Sequence, residues 1–420
     1  DTRERVTREN ERMAGDALRV LGMAYRVVEE APEEGLTPLE ELIWLGQVGM
    51  MDPLRQGMDV LLERFHRAGI DTAMITGDQS ATAYAIARKL DLAGGRPVEI
   101  LDSLRLDKLE PEVLSGVVQG VQVFARVSPA HKLQIVQALQ GAGKVVAMTG
   151  DGINDGPALR AADLGVAMGQ GGSEVAQSLA DVVLGDDDLK TMEVAVRHGR
   201  ATYDNVRKAI RFLLATNLSE IEVMLAGIAL GAGQPLNPMQ LLWINLISDI
   251  FPGLALALEK PEAEIMDRPP RDPRAPVINR RDLQRLGVES GVISAGTLAS
   301  FGYALLRYGP GPRAGSQAFM TLTLGQLLHA VSCRSETHTP LDRERPASNP
   351  YLGAALGLSL AAQALTVLVP GLRRLLDTVL PGPLDTLMMA AGAIGPLLIN
   401  ESTKKPAGPP RKPAGPADKS

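Results

Sequence analysis

"VVAMTGDGINDGPAL", Val145 to Leu159, is the stretch on which the fold turns. An apolar run ends at Thr149 and gives way to two aspartates four residues apart, Asp151 and Asp155. Asn154 and three glycines lie among them. A short buried strand that opens into glycine and carboxylate is suited to a phosphate or a hard cation. Glycine lets the backbone approach closely, and carboxylate oxygens suit Mg²⁺.

Working outward, the same alternation recurs. "DTAMIT" (71–76), "VQVFARV" (121–127), "LGVAMG" (164–169) and "DVVLG" (181–185) read as further buried strands. "QSATAYAIARKLDL" (79–92) and "SPAHKLQIVQALQGAG" (128–143) read as helices, the second with an N-cap serine followed by proline. This order predicts an α/β domain built on a parallel sheet with helices on both faces. Ligands of such sheets sit at the carboxyl ends of the strands. "TGD" (Thr76–Asp78) and "TGDGIND" (Thr149–Asp155) both fall there, and Lys132 lies a few residues beyond a third strand. Thr76 and Gly77 offer a hydroxyl and an amide to phosphoryl oxygens, and Lys132 a positive charge. Singly, each has an ordinary alternative: a turn, a solvated helix lysine, an Asx turn and a helix cap. No GxxxxGK[ST] occurs, which excludes a P-loop.

After "DDLKTMEVAVRHGRATYDNVRKAIR" the chain turns apolar. Stretches at about 212–232, 238–258, 286–306, 317–333, 351–369 and 384–400 have near the length needed to cross a bilayer, so six transmembrane helices are expected. The connector 259–285 carries Lys260 and six arginines, whereas "GAGQPLNP" carries no charge. That bias places the α/β domain and the connector in the cytoplasm, with Arg373 and Arg374 as exceptions on the outer side. Only 3% aromatic residues and a net charge of −6 argue against a nucleic-acid partner. A single cysteine, Cys333, excludes an internal disulfide framework.

Carboxylates inside the apolar stretches are costly and point to function. Asn217 and Glu220 share a helix face, as do Asn245, Ser248 and Asp249. Two such faces meeting would make an oxygen cage for a hard cation. Glu222 lies about 200° around the helix from Glu220 and is not expected to be a ligand. Glu289 reads as an interfacial glutamate and His329 as a packed histidine.

"MITGDQSATAYAIARKL", "VFARVSPAHKLQIVQALQ" and "VVAMTGDGINDGPALRAADLGVAMG" resemble the phosphorylation-domain motifs of P-type ATPases, pumps with a haloacid-dehalogenase-like core. "LGQVGMMDPLR" (45–55) is similar to the hinge of the nucleotide domain. "IRFLLATNLSEI" and "QLLWINLISDIFPGLALA" are similar to spans five and six of the calcium-pump-like branch. The resemblance covers nearly the whole chain except the tail. It implies that Asp151 ligates Mg²⁺ with support from Asp155, and that Thr76, Gly77, Lys132 and Asn154 contact the phosphoryl group. Asp78, Arg126, Asp52 and Arg55 would serve the hinge and the ATP side. Asn217, Glu220, Asn245, Ser248, Asp249 and Gln326 would ligate the transported cation, Ca²⁺ being favoured.

The implied organisation is a remnant of the nucleotide-binding domain (1–40), a phosphorylation domain (41–190) and a stalk helix (191–211). A six-helix transmembrane domain (212–400) and a disordered tail (401–420) follow. One departure is Gly156, where many relatives have alanine. A larger one is that no DKTGT occurs, so the phosphorylated aspartate is not in this sequence. The chain opens on Asp1 and is expected to lack the N-terminal half of the pump. The expectation is an integral protein of a bacterial plasma membrane, contributing to an ATP- and Mg²⁺-dependent pump and inactive alone. The competing reading is a non-catalytic cation-binding or regulatory membrane protein derived from one.

Overall fold

The computed structural model describes residues 2–15, 18–27, 42–50, 54–335 and 348–404. The chain forms two compact units, Asp1–Ala195 with Met266–Pro273, and Val196–Ile265 with Arg274–Ser420.

In the first unit, α1 (Thr2–Gly15) precedes an antiparallel pair, β1 (Arg19–Tyr25) and β2 (Ile43–Met50). There follow α2 (Met58–Arg67), β3 (Met74–Ile75), α3 (Ser80–Lys89), β4 (Ile100–Asp102), α4 (Ser103–Leu106), α5 (Pro111–Val117) and β5 (Val123–Ala125). Then come α6 (Pro129–Gly141), β6 (Ala147–Gly150), α7 (Gly156–Ala161), β7 (Leu164–Met168), α8 (Glu174–Leu179) and β8 (Val182–Leu184). The parallel strands lie where the sequence places them, but they do not make one sheet. They pair as β3-β5-β4 and as β6-β7-β8. Among the described residues β3 pairs only with β5, and β6 only with β7. Ile75 of β3 packs against the cores of both sheets.

Local chemistry fixes the helix that links the halves. Ser128 caps α6, accepting from the His131 N–H at 3.4 Å and donating its own N–H to His131 Nδ1 at 3.1 Å. Proline at the first helical position costs nothing there, since its missing N–H would have had no helical partner. Ile135 and Val136 are buried on the inner face of the helix.

In the second unit the expected stalk and first span are one helix, α9 (Thr191–Ala229), which begins in the first unit. Next come α10 (Pro238–Trp243), a π-helical turn at Ile244–Asp249 and α11 (Ile250–Ala257), which together run as one rod. The remaining helices are α12 (Arg280–Tyr308), α13 (Pro312–Ser332), α14 (Pro350–Leu368), α15 (Pro370–Leu376) and α16 (Pro383–Ser402). Among the described residues, four of the six expected spans are long and apolar enough to cross a membrane: Thr191–Ala229, Pro238–Ala257, Pro350–Leu368 and Pro383–Ser402. α12 and α13 form where expected but fall short in apolarity. Both have buried polar faces, Ser290, Ser294, Thr297 and Ser300 on α12 and Gln317, Thr321, Gln326 and His329 on α13.

Lipid tails are as apolar as leucine, so packing and hydrogen bonds hold membrane helices together. α12 and α16 approach closely at Gly296 and Gly392, where a Cβ on either would collide with the other's carbonyl. Ser300 Oγ takes hydrogen bonds from Gln317 Nε2 at 2.8 Å and Thr321 Oγ1 at 2.9 Å. The tail beyond Lys404 lies outside the described residues.

Candidate functional site

The phosphoryl motifs are stitched together through the backbone. The Thr76 N–H donates to the Phe124 carbonyl at 2.9 Å, and the Thr76 carbonyl accepts from Val127 at 3.1 Å. The Arg126 N–H donates to the Asp78 carbonyl at 3.0 Å, and Arg126 takes a left-handed φ of 56° to do so. The Thr76 hydroxyl donates to Asp78 Oδ2 at 2.9 Å and accepts the Asp78 N–H at 3.1 Å. Gly77 is exposed, and nothing would obstruct a Cβ there. One turn into α6, Lys132 Nζ meets Asp155 Oδ1 at 2.5 Å. Asp155 is 6% exposed and also accepts the Gly152 N–H at 3.3 Å. Gly150 permits this approach, because a Cβ there would sit 2.6 Å from that of Asp155.

Thr76, Asp78 and Arg126 therefore gather at one strand end, and Lys132 and Asp155 at the next. Asp151 and Asn154 are exposed beside them, with the Asp151 carbonyl accepting from the Ser173 N–H at 2.8 Å. Arg55 lies elsewhere, donating from its guanidinium to the Asp187 carbonyl at 2.6 Å, and Asp52 lies outside the described residues. The exposed Asp151 carboxylate and the Asp155 carboxylate are the hard oxygen donors Mg²⁺ prefers. Among the described residues no three of His, Cys, Asp or Glu converge on a metal position.

Sequence reading did not single out Asp187. Its carboxylate accepts from the N–H groups of Gly169 at 2.6 Å, Gln170 at 2.9 Å and Gly171 at 2.6 Å. The bonds from Gln170 and Gly171, with that from Gly169, hold the carboxyl below the usual carboxylate range. The signal was the "GQGG" that follows "LGVAM", a loop with successive N–H groups free to converge on an anion.

In the second unit a buried polar cage joins α9, the π-turn and α13. Glu220 Oε2 accepts from Asn245 Nδ2 at 3.1 Å, and Glu220 Oε1 from Gln326 Nε2 at 3.2 Å. The Thr216 hydroxyl donates to Asp249 Oδ2 at 2.7 Å. Gln326 Nε2 also reaches the Thr216 carbonyl at 3.2 Å and Ser219 Oγ at 3.4 Å. Glu220, Asp249 and Gln326 are 6%, 2% and 0% exposed. Asp249 Oδ1 and Gln326 Oε1 are buried acceptors without a hydrogen-bond donor among the described residues. The π-turn carries both Asn245 and Asp249, and such turns recur at functional sites.

Of the expected ligands, the cage gathers Glu220, Asn245, Asp249 and Gln326. Asn217 stands outside it, exposed and donating to the Leu213 carbonyl of its own helix at 2.7 Å. The Ser248 side chain lies outside the described residues. Glu222 faces α12, accepting from Ser290 Oγ at 2.9 Å and Ser294 Oγ at 2.7 Å, as its angular position on the helix predicts. Thr216 and Ser219 are the members the sequence reading missed. Thr216 precedes Glu220 by four residues, which puts it on the same face.

Glu289 proves more than interfacial. It is buried against Arg211 Nη2 at 3.1 Å and Arg285 Nε at 2.8 Å, with His329 Nε2 at 3.7 Å. His329 is packed as expected, stacked on Phe212.

Two family models match parts of this chain. Residues 2–163 match the haloacid dehalogenase-like hydrolases, and residues 233–405 match the C-terminus of cation transporting ATPases. Over these two regions the chain is similar to haloacid dehalogenase-like hydrolases and to cation transporting ATPases. It is 40% identical over 382 residues to the calcium-transporting ATPase of Bacillus subtilis (strain 168), covering 90% of this chain and 42% of that protein. It is 33% identical over 412 residues to calcium-transporting ATPase 1 of Yarrowia lipolytica, covering 96% and 43%. Against the mouse calcium-transporting ATPase type 2C member 1 it is 34% identical over 403 residues, again covering 96% and 43%. The chain thus spans about two-fifths of the length of the curated relatives it matches.

Proposed function

We propose that this chain is the C-terminal part of an ATP-driven pump that moves a cation, Ca²⁺ in the favoured reading, across a membrane. The observation that carries the proposal is the buried Glu220–Asp249–Gln326 cage in a chain that also holds the Thr76, Lys132 and Asp155 phosphoryl motifs. Two carboxylates among neutral amides and a hydroxyl suit a hard cation. All six long helices would then cross the bilayer, with α12 and α13 shielded from lipid by their neighbours. The basic connector favours a cytoplasmic hydrolase-like unit, and the composition a bacterial plasma membrane.

Asp151 with Asp155 would hold Mg²⁺, which supplies charge neutralisation to phosphoryl oxygens when ATP is the donor. Thr76, Gly77 and Asn154 would orient the phosphoryl group, and Lys132 would face its developing charge. Asp78, Arg126, Arg55 and Asp52 would serve the nucleotide side. In this reading the acceptor aspartate would be supplied from outside this chain, which holds no DKTGT. The edges of β3 and β6 that are unpaired among the described residues, each in a strand that runs into a Thr-Gly motif, are where a further strand would bring it to both motifs.

The test is a chimera in which this chain replaces the matching part of the Bacillus subtilis relative. Vesicles containing the chimera should take up ⁴⁵Ca²⁺ with ATP, and the isolated chain should form no phosphoenzyme. A chimera that is phosphorylated by ATP yet moves no Ca²⁺, Mn²⁺ or Na⁺ would overturn the reading.

A further inference from the structure

Thr216 was not among the expected ligands, yet it touches three members of the cage, Asp249, Ser219 and Gln326. It is fully buried. Its hydroxyl donates to Asp249 Oδ2 at 2.7 Å, and its carbonyl accepts from Ser219 Oγ at 2.7 Å and Gln326 Nε2 at 3.2 Å. The Leu213 carbonyl is also within reach of the hydroxyl, at 3.1 Å. A hydroxyl has one proton, and the shorter contact to a carboxylate takes it. One residue on α9 thereby orients an aspartate of the π-turn and a glutamine of α13. The oxygens left without donors are Asp249 Oδ1 and Gln326 Oε1.

We propose that Thr216 is a specificity-determining positioning residue, which holds Asp249 Oδ2 so that the carboxylate meets the cation through Oδ1 alone. The inference rests on the transport reading of the cage. Its consequence is a preference in coordination number. Ca²⁺ accepts six to eight oxygens and takes carboxylates in either mode, whereas a smaller six-coordinate ion such as Mn²⁺ is served by single oxygens. With the hydroxyl present, Asp249 is a one-oxygen ligand and suits the smaller ion. Without it, Asp249 can turn and give both oxygens, which a large ion can use and a small one cannot.

The experiment measures cation-stimulated ATP hydrolysis in the complete pump, or in the Bacillus subtilis chimera, with Ca²⁺ and with Mn²⁺. Thr216→Val keeps the shape and removes the proton donor. It should raise the half-maximal Mn²⁺ concentration about tenfold, the scale seen when a ligand's hydrogen-bonding partner is lost. The Ca²⁺ value should rise less, which moves the selectivity ratio toward Ca²⁺ by at least about threefold. Thr216→Ser, which keeps the hydroxyl, should match the parent for both ions. Thr216→Ala removes the hydroxyl without a branched methyl against Asp249, and serves if the valine variant does not fold. Unchanged values, or an equal loss for both ions, would overturn the proposal. An unmodified pump without cation-stimulated hydrolysis would instead defeat the transport reading.

Discussion

Asp155 in the hydrolase-like unit and Asp249 in the transport unit are both buried aspartates, and they are kept by different partners. Asp155 is neutralised on the spot by Lys132 at 2.5 Å and takes a backbone N–H besides. Asp249 has only a neutral hydroxyl on one oxygen and no hydrogen-bond donor on the other among the described residues. Burying a carboxylate is expensive in either setting. The first is offset within the fold, so Asp155 acts as a fixture that holds Lys132 and the loop of Gly152 in place. In the proposed reading the second is left for a cation to offset, with Glu220 as its companion charge. Whether a carboxylate serves architecture or cargo is thus decided by whether its counter-charge is built in.

Removing the cargo carboxylate should have the largest effect. Asp249→Asn keeps the size and the Thr216 contact but discards one of two charges. ⁴⁵Ca²⁺ uptake by the chimera should fall on the order of 100-fold, while near-ultraviolet circular dichroism stays that of the parent. Equal uptake by parent and variant would erase the distinction between the two aspartates.

Breaking the built-in pair should cost stability instead. Lys132→Met leaves Asp155 Oδ1 without its counter-charge. The loss should be about 2 kcal/mol in urea unfolding, below the value for a fully buried pair because Lys132 keeps some solvent contact. Adding Asp155→Asn should recover part of that loss, and a strictly additive pair of losses would show that the two side chains do not interact. Gly150→Ala, whose new methyl would collide with Asp155, should cost a comparable 1 to 3 kcal/mol, roughly.

Asp187 sharpens the contrast most finely, because it is a carboxylate held by N–H groups at the surface. Its carboxyl titrates below the ordinary range, so its contribution is complete above about pH 4, the value for a free aspartate. That contribution fades as the pH falls through the lower folded value. Asp187→Asn should therefore lower the melting temperature at pH 7, and the gap should narrow as the pH falls below about 4 toward the lower folded value. A gap unchanged at pH 3 would mean that shape rather than charge matters there.

Much of this was legible from residue order. Strand and helix positions followed from apolar runs, the Ser128-Pro129 cap and the glycine-aspartate ends of strands, because local propensity and periodicity act within a few residues. Glu220 and Asp249 stood out because charge among apolar residues is rare. The split of the parallel strands into two sheets was not legible, since pairing depends on which strand edges meet across tens of residues. The shortfall of α12 and α13 in apolarity could have been read, but the reason it is tolerated could not. Their polar faces are turned onto neighbours, and only packing shows that.

The sequence by itself determined the classes of chemistry: a hydrolase-like phosphoryl motif, carboxylates in apolar helices, and a family resemblance that the matched regions uphold. Tertiary structure alone decided which carboxylate faces which partner. It turned Asn217 outward and Glu222 toward the serines of α12, and it brought Thr216 onto Asp249. The physical reason is that ligand geometry is set by helix rotation and by the π-turn at Ile244–Asp249, where one extra residue per turn redirects every side chain that follows.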